Sequence, residues 1–130
     1  MMGKLQHSLL ILFTACLAAC NGASEQQISI PSQHWKGMDV SIETHPNPPL
    51  AGMSEIVVIV TGARGRPIQD LTVSLRGKDS MQWVQAIQDG LIGVYRRAVD
   101  IGDGESIVLQ VRLQQGTDEQ VLLFPLKLAQ

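Results

Sequence analysis

Leu71-Thr72-Val73-Ser74-Leu75-Arg76 is the stretch that decides the fold, because apolar and polar side chains alternate along it without exception. An alternation with a period of two places the apolar side chains on one face of a β-strand and the polar ones on the other. The segments 40–44 and 107–113 alternate in the same way. The sequence therefore predicts half-buried strands along much of the chain.

The segment 55–61 differs from these strands because its apolar residues follow one another without interruption. They are Ile56, Val57, Val58, Ile59 and Val60. A strand that is apolar on both faces is typically buried on both faces. We expect this segment in the middle of a sheet, or under a loop that covers its outer face.

Glycine and proline turn signals separate the apolar segments at intervals of roughly 8 to 15 residues, which is typical of all-β domains. The pattern predicts an all-β fold, an immunoglobulin-like β-sandwich of about seven strands, with a small closed barrel as the alternative. The segment 121–126 is predicted to lie at a sheet edge, because Pro125 lacks the backbone donor that a central strand needs.

The segment 81–88 is compatible with either a strand or a helix. A helix would begin after Ser80 and end at Gly90. A strand would place Met81, Trp83 and Ile87 together on one face. The neighbouring strands favour the strand.

Residues 1–19 have the layout of a signal peptide. A short head carries Lys4, an uncharged apolar run covers 9–17, and small residues precede Cys20. The apolar run is about half of the ~20 residues that span a bilayer. We expect this segment to be removed on export.

Leu17-Ala18-Ala19-Cys20 resembles the lipobox of bacterial lipoproteins. The resemblance implies that cleavage leaves Cys20 first and that Cys20 is the lipid attachment site, carrying acyl chains such as palmitate. Two or more acyl chains hold a protein on a membrane stably. The expected location is the cell envelope, with the anchor in the outer membrane and the domain facing the periplasm if the cell has two membranes. An ordinary secretory signal is the alternative.

The rest of the chain divides into a short tether and one domain. Residues 20–36 are predicted to be the lipidated cysteine and a flexible tether, because their composition is rich in Ser, Gln and Gly and poor in apolar residues. Residues 37–130 are predicted to form the β-sandwich domain, which contains no cysteine. Its stability therefore depends on apolar burial and hydrogen bonds rather than on disulfides.

Composition argues against several functional classes. The net charge is −2 and no face collects basic residues, so nucleic acid is not an expected partner. No Gly-x-Ser-x-Gly motif is present, and only His34 and His45 follow the signal peptide, both on segments predicted to be irregular. We expect a non-enzymatic interaction or accessory module of the cell envelope, held on the membrane by its lipid anchor.

A protein partner is expected at one of two strands. These are the doubly apolar segment 55–61 and the edge strand containing Pro125, because an open sheet edge accepts an added strand.

A periplasmic copper-binding or copper-delivery protein is the alternative function. His and Met side chains suit copper(I), and the chain offers His34, Met38, His45, Met53 and Met81. They follow no spacing motif, and Met often fills gaps in a core. We therefore expect no cofactor, with His34, His45 and Met81 as the candidate ligands if copper is bound.

Between Met38 and Leu113 the order of features resembles the YtkA-like domain family. The features are the segment 40–42 before three prolines, Gly52 before 56–61, the segment 65–68, Gly93-Val94-Tyr95, and Gly104 before 108–111. The resemblance implies a small exported immunoglobulin-like domain, often on a lipoprotein anchor. Family members commonly have Trp after the late glycine, where this chain has Glu105, and a Met-rich or His-containing loop where this chain has only Met81. No copper site is carried over from the resemblance.

Overall fold

The structure, a computed structural model, describes residues 28–68, 70–90 and 93–129. Their nine strands are β1 (Gln33–Trp35), β2 (Met38–His45), β3 (Met53–Thr61), β4 (Thr72–Arg76), β5 (Val84–Gln85), β6 (Ile87–Gln88), β7 (Val94–Asp100), β8 (Ser106–Gln115) and β9 (Asp118–Lys127). One 3-10 turn, Ala63–Gly65, follows β3. Within these ranges, no helix has the length and apolar character to cross a membrane.

The strands form two antiparallel sheets. The first sheet has the order β1-β2-β3-β7-β6 and the second has the order β5-β4-β8-β9. In an immunoglobulin sandwich the strand order A-B-E-D faces C-F-G. β2, β3, β7 and β6 reproduce the first order, and β4, β8 and β9 reproduce the second. The predicted all-β, immunoglobulin-like sandwich is confirmed, with nine strands rather than about seven because β1 and β5 extend the two sheets.

The core lies between the two sheets and consists of the inward-facing side chains of both. Its completely buried members are Val40, Ile56, Val58, Val60, Leu75, Ile101, Leu109, Val111, Leu113 and Phe124. The alternation in β4 is confirmed for Val73 and Leu75, which are buried, and for Thr72 and Arg76, which are partly exposed, whereas Ser74 between them is buried as well. Apolar burial on one face of each strand thus holds the sheets together.

β3 is the third of five strands in the first sheet, as its doubly apolar sequence predicts. It pairs with β2 on one side and β7 on the other. Val57 is buried although it lies on the outer face. Its register partners are Glu43 and Arg96, whose long side chains flank it on the two neighbouring strands.

The segment 81–88 contains two short strands and no helix. β5 pairs with β4 in the second sheet, whereas β6 pairs with β7 in the first. Ala86 lies between them, is buried, and donates its N–H to Val73 O at 2.8 Å. The preference for strand is confirmed for 84–88, but the chain changes sheets at Ala86.

The prediction that Trp83 and Ile87 share one face is wrong, because the change of sheet between them interrupts the alternation. Ile87 is 61% exposed on the first sheet. Trp83 lies between Arg76 and Arg112, with guanidinium carbons 4.4 and 4.6 Å from its ring centroid. These cation–π contacts place Trp83 on the outer face of the second sheet.

The domain begins before residue 37, the boundary predicted from the sequence. β1 lies inside the segment 20–36 that was predicted as tether, and it pairs with the start of β2. Ile30 and Trp35 pack against the core and supply the apolar area that orders this segment. The signal peptide, Cys20 and the first part of the tether lie outside the described residues.

The close approach of β7 to β3 requires Gly93. Its φ is +83°, and a Cβ there would lie 2.6 Å from Val60 O. Val60 also donates its N–H to Gly93 O at 2.8 Å. We expect Gly93→Ala to reduce the free energy of unfolding by about 3 kcal/mol, through backbone strain and displacement of β3.

Gly116→Ala is the matched control, because its φ is +60° but no atom lies within 4 Å of the added Cβ. We expect it to cost only about 1 kcal/mol. Denaturant unfolding of the two variants measures both values, and equal losses would contradict the role of the close approach.

The hydroxyl of Tyr95 anchors the segment after β3. It donates to Ile68 O at 3.2 Å, and burial, with a smaller contribution from Asp70, raises the pKa of Tyr95 above 10.0. The protonated form is favoured in the folded state, so this stabilisation is complete below pH 10 and is lost as the pH rises through the folded pKa. We expect Tyr95→Phe to cost about 1 kcal/mol at neutral pH.

The cost of Tyr95→Phe should shrink above pH 10. Denaturant unfolding of wild type and variant across that pH range measures the difference. If the difference in free energy of unfolding between wild type and variant did not change with pH, the hydrogen bond from the Tyr95 hydroxyl would not be the source of the stabilisation.

Candidate interaction site

A groove of about 530 Å³ lies on the outer face of the first sheet, beside β6. We call it the outer groove. Its lining residues are Met53, Glu55, Ile87, Gln88, Asp89, Arg96, Arg97 and Ala98. β3, β6 and β7 all contribute to it, so the order of strands in the first sheet creates the groove.

Met53 and Ile87 border the outer groove and are the most exposed large apolar side chains in the described ranges. Met53 is 64% exposed at the start of β3, and Ile87 is 61% exposed in the two-residue strand β6. Isolated apolar side chains on a surface are ordinary, but two that flank one groove indicate a contact surface.

The charged side chains of the outer groove neutralise one another. Arg96 forms an ion pair with Glu55, and its Nε lies 2.8 Å from Asp89 Oδ2. The hydrogen bond with Glu55 is the largest cause that raises the pKa of Arg96, so the guanidinium stays charged. This arrangement holds both carboxylates as acceptors of hydrogen bonds from one guanidinium.

The edge of β7 next to the outer groove has an open position. β6 pairs only with Tyr95 and Arg96. Gln85 would lie opposite Ala98 if β6 continued, but it pairs with Ser74 in the second sheet instead. On the side of β7 that faces away from β3, no described strand occupies the position beside Ala98.

The backbone of Ala98 points toward this open position. Val94 O accepts a hydrogen bond from Asp89 N at 3.0 Å, whereas Gly93 O accepts one from β3. Backbone groups alternate in direction along a strand, so Ala98 N–H and C=O point the same way as those of Val94. An extended chain that continued the line of β6 would therefore meet one donor and one acceptor.

A second groove lies on the other side of the same edge. It has a volume of about 260 Å³, and its lining residues are Arg76, Met81, Gln82, Val84, Val99 and Asp100. Successive side chains of a strand point to opposite faces. A strand added beside Ala98 would therefore direct its side chains into the two grooves in turn.

The two contact sites predicted from the sequence do not offer a comparable edge. β3 is hydrogen-bonded on both sides, so the segment 55–61 has no open edge to which a strand could add. β9 is at the edge of the second sheet, as predicted, but two of its carbonyls are occupied. Leu123 O accepts from the Gln33 side chain and Val121 O accepts from the Gln120 side chain. Pro125 adds no donor there.

The structure separates the candidate copper ligands. His34 lies in β1 with its Nδ1 against Asp39 Oδ1, while His45 ends β2 with its Nε2 3.9 Å from Glu43 Oε2. The two histidines are therefore about 20 Å apart along β2. Met81 lies between β4 and β5. No three His, Cys, Asp or Glu residues in the described ranges are grouped as metal ligands.

Sequence reasoning did not identify the groove residues Ile87 and Ala98. Each belongs to a short apolar pair, Ala86-Ile87 and Ala98-Val99, between polar residues, which does not show which member faces outward. Their exposure depends on the change of sheet at Ala86. Met53 entered the sequence analysis only as a sulfur ligand, and Cys20 lies outside the described residues.

The structure is an immunoglobulin-like β-sandwich with a groove beside an open position at one sheet edge. In comparisons with known proteins, the chain matches no family model, no curated protein and no solved structure.

Copper(I) titration of the protein against a competing chelator tests the separation of the three candidate ligands. We expect no binding tighter than micromolar, because His34, His45 and Met81 do not converge. Tight binding that disappears when both histidines are replaced by alanine would contradict this expectation. A His34→Ala variant alone separates a site at β1 from one at the end of β2.

Proposed function

We propose that the protein is an exported, lipid-anchored interaction module of the cell envelope that binds an extended segment of a partner protein. The segment adds as a strand beside Ala98 and places an apolar side chain near Ile87. The observation that carries the proposal is the pair of exposed side chains, Met53 and Ile87, flanking an unoccupied position on β7.

The anchor part of the proposal rests on the sequence of the first 20 residues. The signal-peptide layout and the lipobox resemblance support acylation of Cys20, and the order of features from Met38 to Leu113 supports a YtkA-like domain. In a cell with two membranes, the domain would then face the periplasm from the outer membrane.

The binding part of the proposal rests on strand addition. Backbone hydrogen bonds supply affinity in this mode, and pockets for alternate side chains supply specificity. Covering the exposed parts of Met53 and Ile87 would contribute about 2 kcal/mol. The contact area is small, so the proposed complex is transient rather than permanent.

A non-enzymatic role fits the chemistry of the groove. Glu55 and Asp89 both form ion pairs with Arg96. A carboxylate that acts as a general base must instead reach the proton that it abstracts from a substrate. The proposed activity is therefore binding, with no group assigned to a reaction.

Site-specific photo-crosslinking tests the interaction. A photoreactive amino acid replaces Ile87 in the full chain, which is expressed in intact cells. We expect one adduct whose crosslinked residue lies in an extended segment of the partner. A synthetic peptide of that segment should then slow hydrogen exchange at Ala98 N–H in the purified protein.

Two variants and one control make the test specific. Ala98→Pro removes the outward N–H without removing a donor to β3, and Met53→Asp places a charge in the outer groove, so either should abolish the adduct. The same photoreactive residue at Val108, 46% exposed on the other sheet, is the control. Equal adducts at both positions, or an adduct that survives both variants, would refute the proposed site.

A further inference from the structure

We infer that one end of the sandwich, carrying Ile28 and Leu50, lies against the phospholipid surface. We call it the anchor end. This inference rests on the proposed acylation of Cys20 and adds an orientation to it. The occupant is the headgroup region of the bilayer that holds the acyl chains.

Backbone hydrogen bonds gather the anchor end from distant parts of the chain. Gly52 N–H donates to Gly102 O at 2.8 Å, and Ala129 N–H donates to Pro49 O at 2.8 Å. Leu128 N–H donates to Glu105 O at 3.1 Å. The loop between β2 and β3, the turn between β7 and β8 and the residues after β9 therefore share one end.

The tether enters the domain at this same end. Ile28 N–H donates to Asn47 Oδ1, and Asn47 Nδ2 donates to Ile28 O, both at 3.3 Å. Seven residues separate Cys20 from Ile28. The chain from Cys20 to Ile28 can span at most about 28 Å. The anchor end is therefore the part of the domain nearest to the acyl chains.

The surface of the anchor end suits a lipid headgroup region. Leu50 is 51% exposed and Ile28 is 37% exposed. A groove of about 470 Å³ opens beside Ile28, between the segment 28–31 and the end of β9, and Pro49 and Lys127 are among its lining residues. Apolar side chains with a lysine at the rim match the boundary between acyl chains and phosphates.

The anchor end carries charges of both signs, since Lys78 and Lys127 lie there together with the exposed acidic residues Asp103 and Glu105. Lys78 Nζ lies 3.2 Å from Asp103 Oδ1, which offsets one acidic residue of the turn between β7 and β8. The opposite end has the turns at Gly37 and Gly116 and the exposed side chains of Arg64 and Arg66. Ile28 and Leu50, which are both exposed, lie at the end where residue 28 enters the domain and not at this opposite end.

Fluorescence quenching in vesicles tests the orientation. A polarity-sensitive fluorophore is attached to Leu50→Cys in the full lipoprotein, whose Cys20 thiol is blocked by acylation. Thr117→Cys, in the turn at the opposite end, is the control. The protein is reconstituted in vesicles of phosphatidylethanolamine and phosphatidylglycerol that contain headgroup spin-labelled lipid.

We expect several-fold stronger quenching at Leu50→Cys than at Thr117→Cys. The mass of the N-terminal peptide reports acylation of Cys20 independently. An acylated protein with equal quenching at both positions would overturn the orientation and leave the anchor intact. A protein without acylation would overturn the anchor and the orientation together.

Discussion

The hydrogen bond from Ala86 N–H to Val73 O is the interaction on which the site depends. It holds the chain against β4 at the point where it passes from the second sheet to the first. Because β5 has just ended and β6 has just begun there, neither strand can be long. The sandwich closes on this side, and the position beside Ala98 is left without a strand of its own. The same backbone contact therefore lies where the chain joins the two sheets and where β7 is left with an open position beside Ala98.

The sequence predicts the long strands well because their burial is local and periodic. Val73 and Leu75 alternate with polar residues, and the doubly apolar segment 55–61 reads as a central strand because both of its faces are covered. Pro125 marks an edge because its missing donor is a local property. Each of these strands stays in one sheet over at least five residues, so the burial of its two faces appears as a repeating pattern in the sequence.

The change of sheet within the segment 81–88 and the groove beside it could not be predicted, for the opposite reason. A period of two is visible only over several residues, and β5 and β6 have two residues each. Trp83 was predicted to share one face with Met81 and Ile87, yet two guanidinium groups from β4 and β8 hold it on the outer face of the second sheet. Such contacts join residues that are distant in sequence, so no local pattern encodes them. The early start of the sheet at β1 is hidden in the same way, since Trp35 is one apolar residue in a polar segment.

The position of the outer groove relative to the tether constrains how a partner would approach. Met53 begins β3 directly after the loop that contains Leu50, so the groove lies next to the anchor end rather than at the free end. Asp100, on the open edge of β7, is followed by the turn that bonds to Gly52. With the anchor end on the bilayer, a strand added beside Ala98 would run close to the membrane. The proposed acylation of Cys20 would then favour partner segments that are themselves held near the membrane, because a small contact gains effective concentration when both chains share one surface.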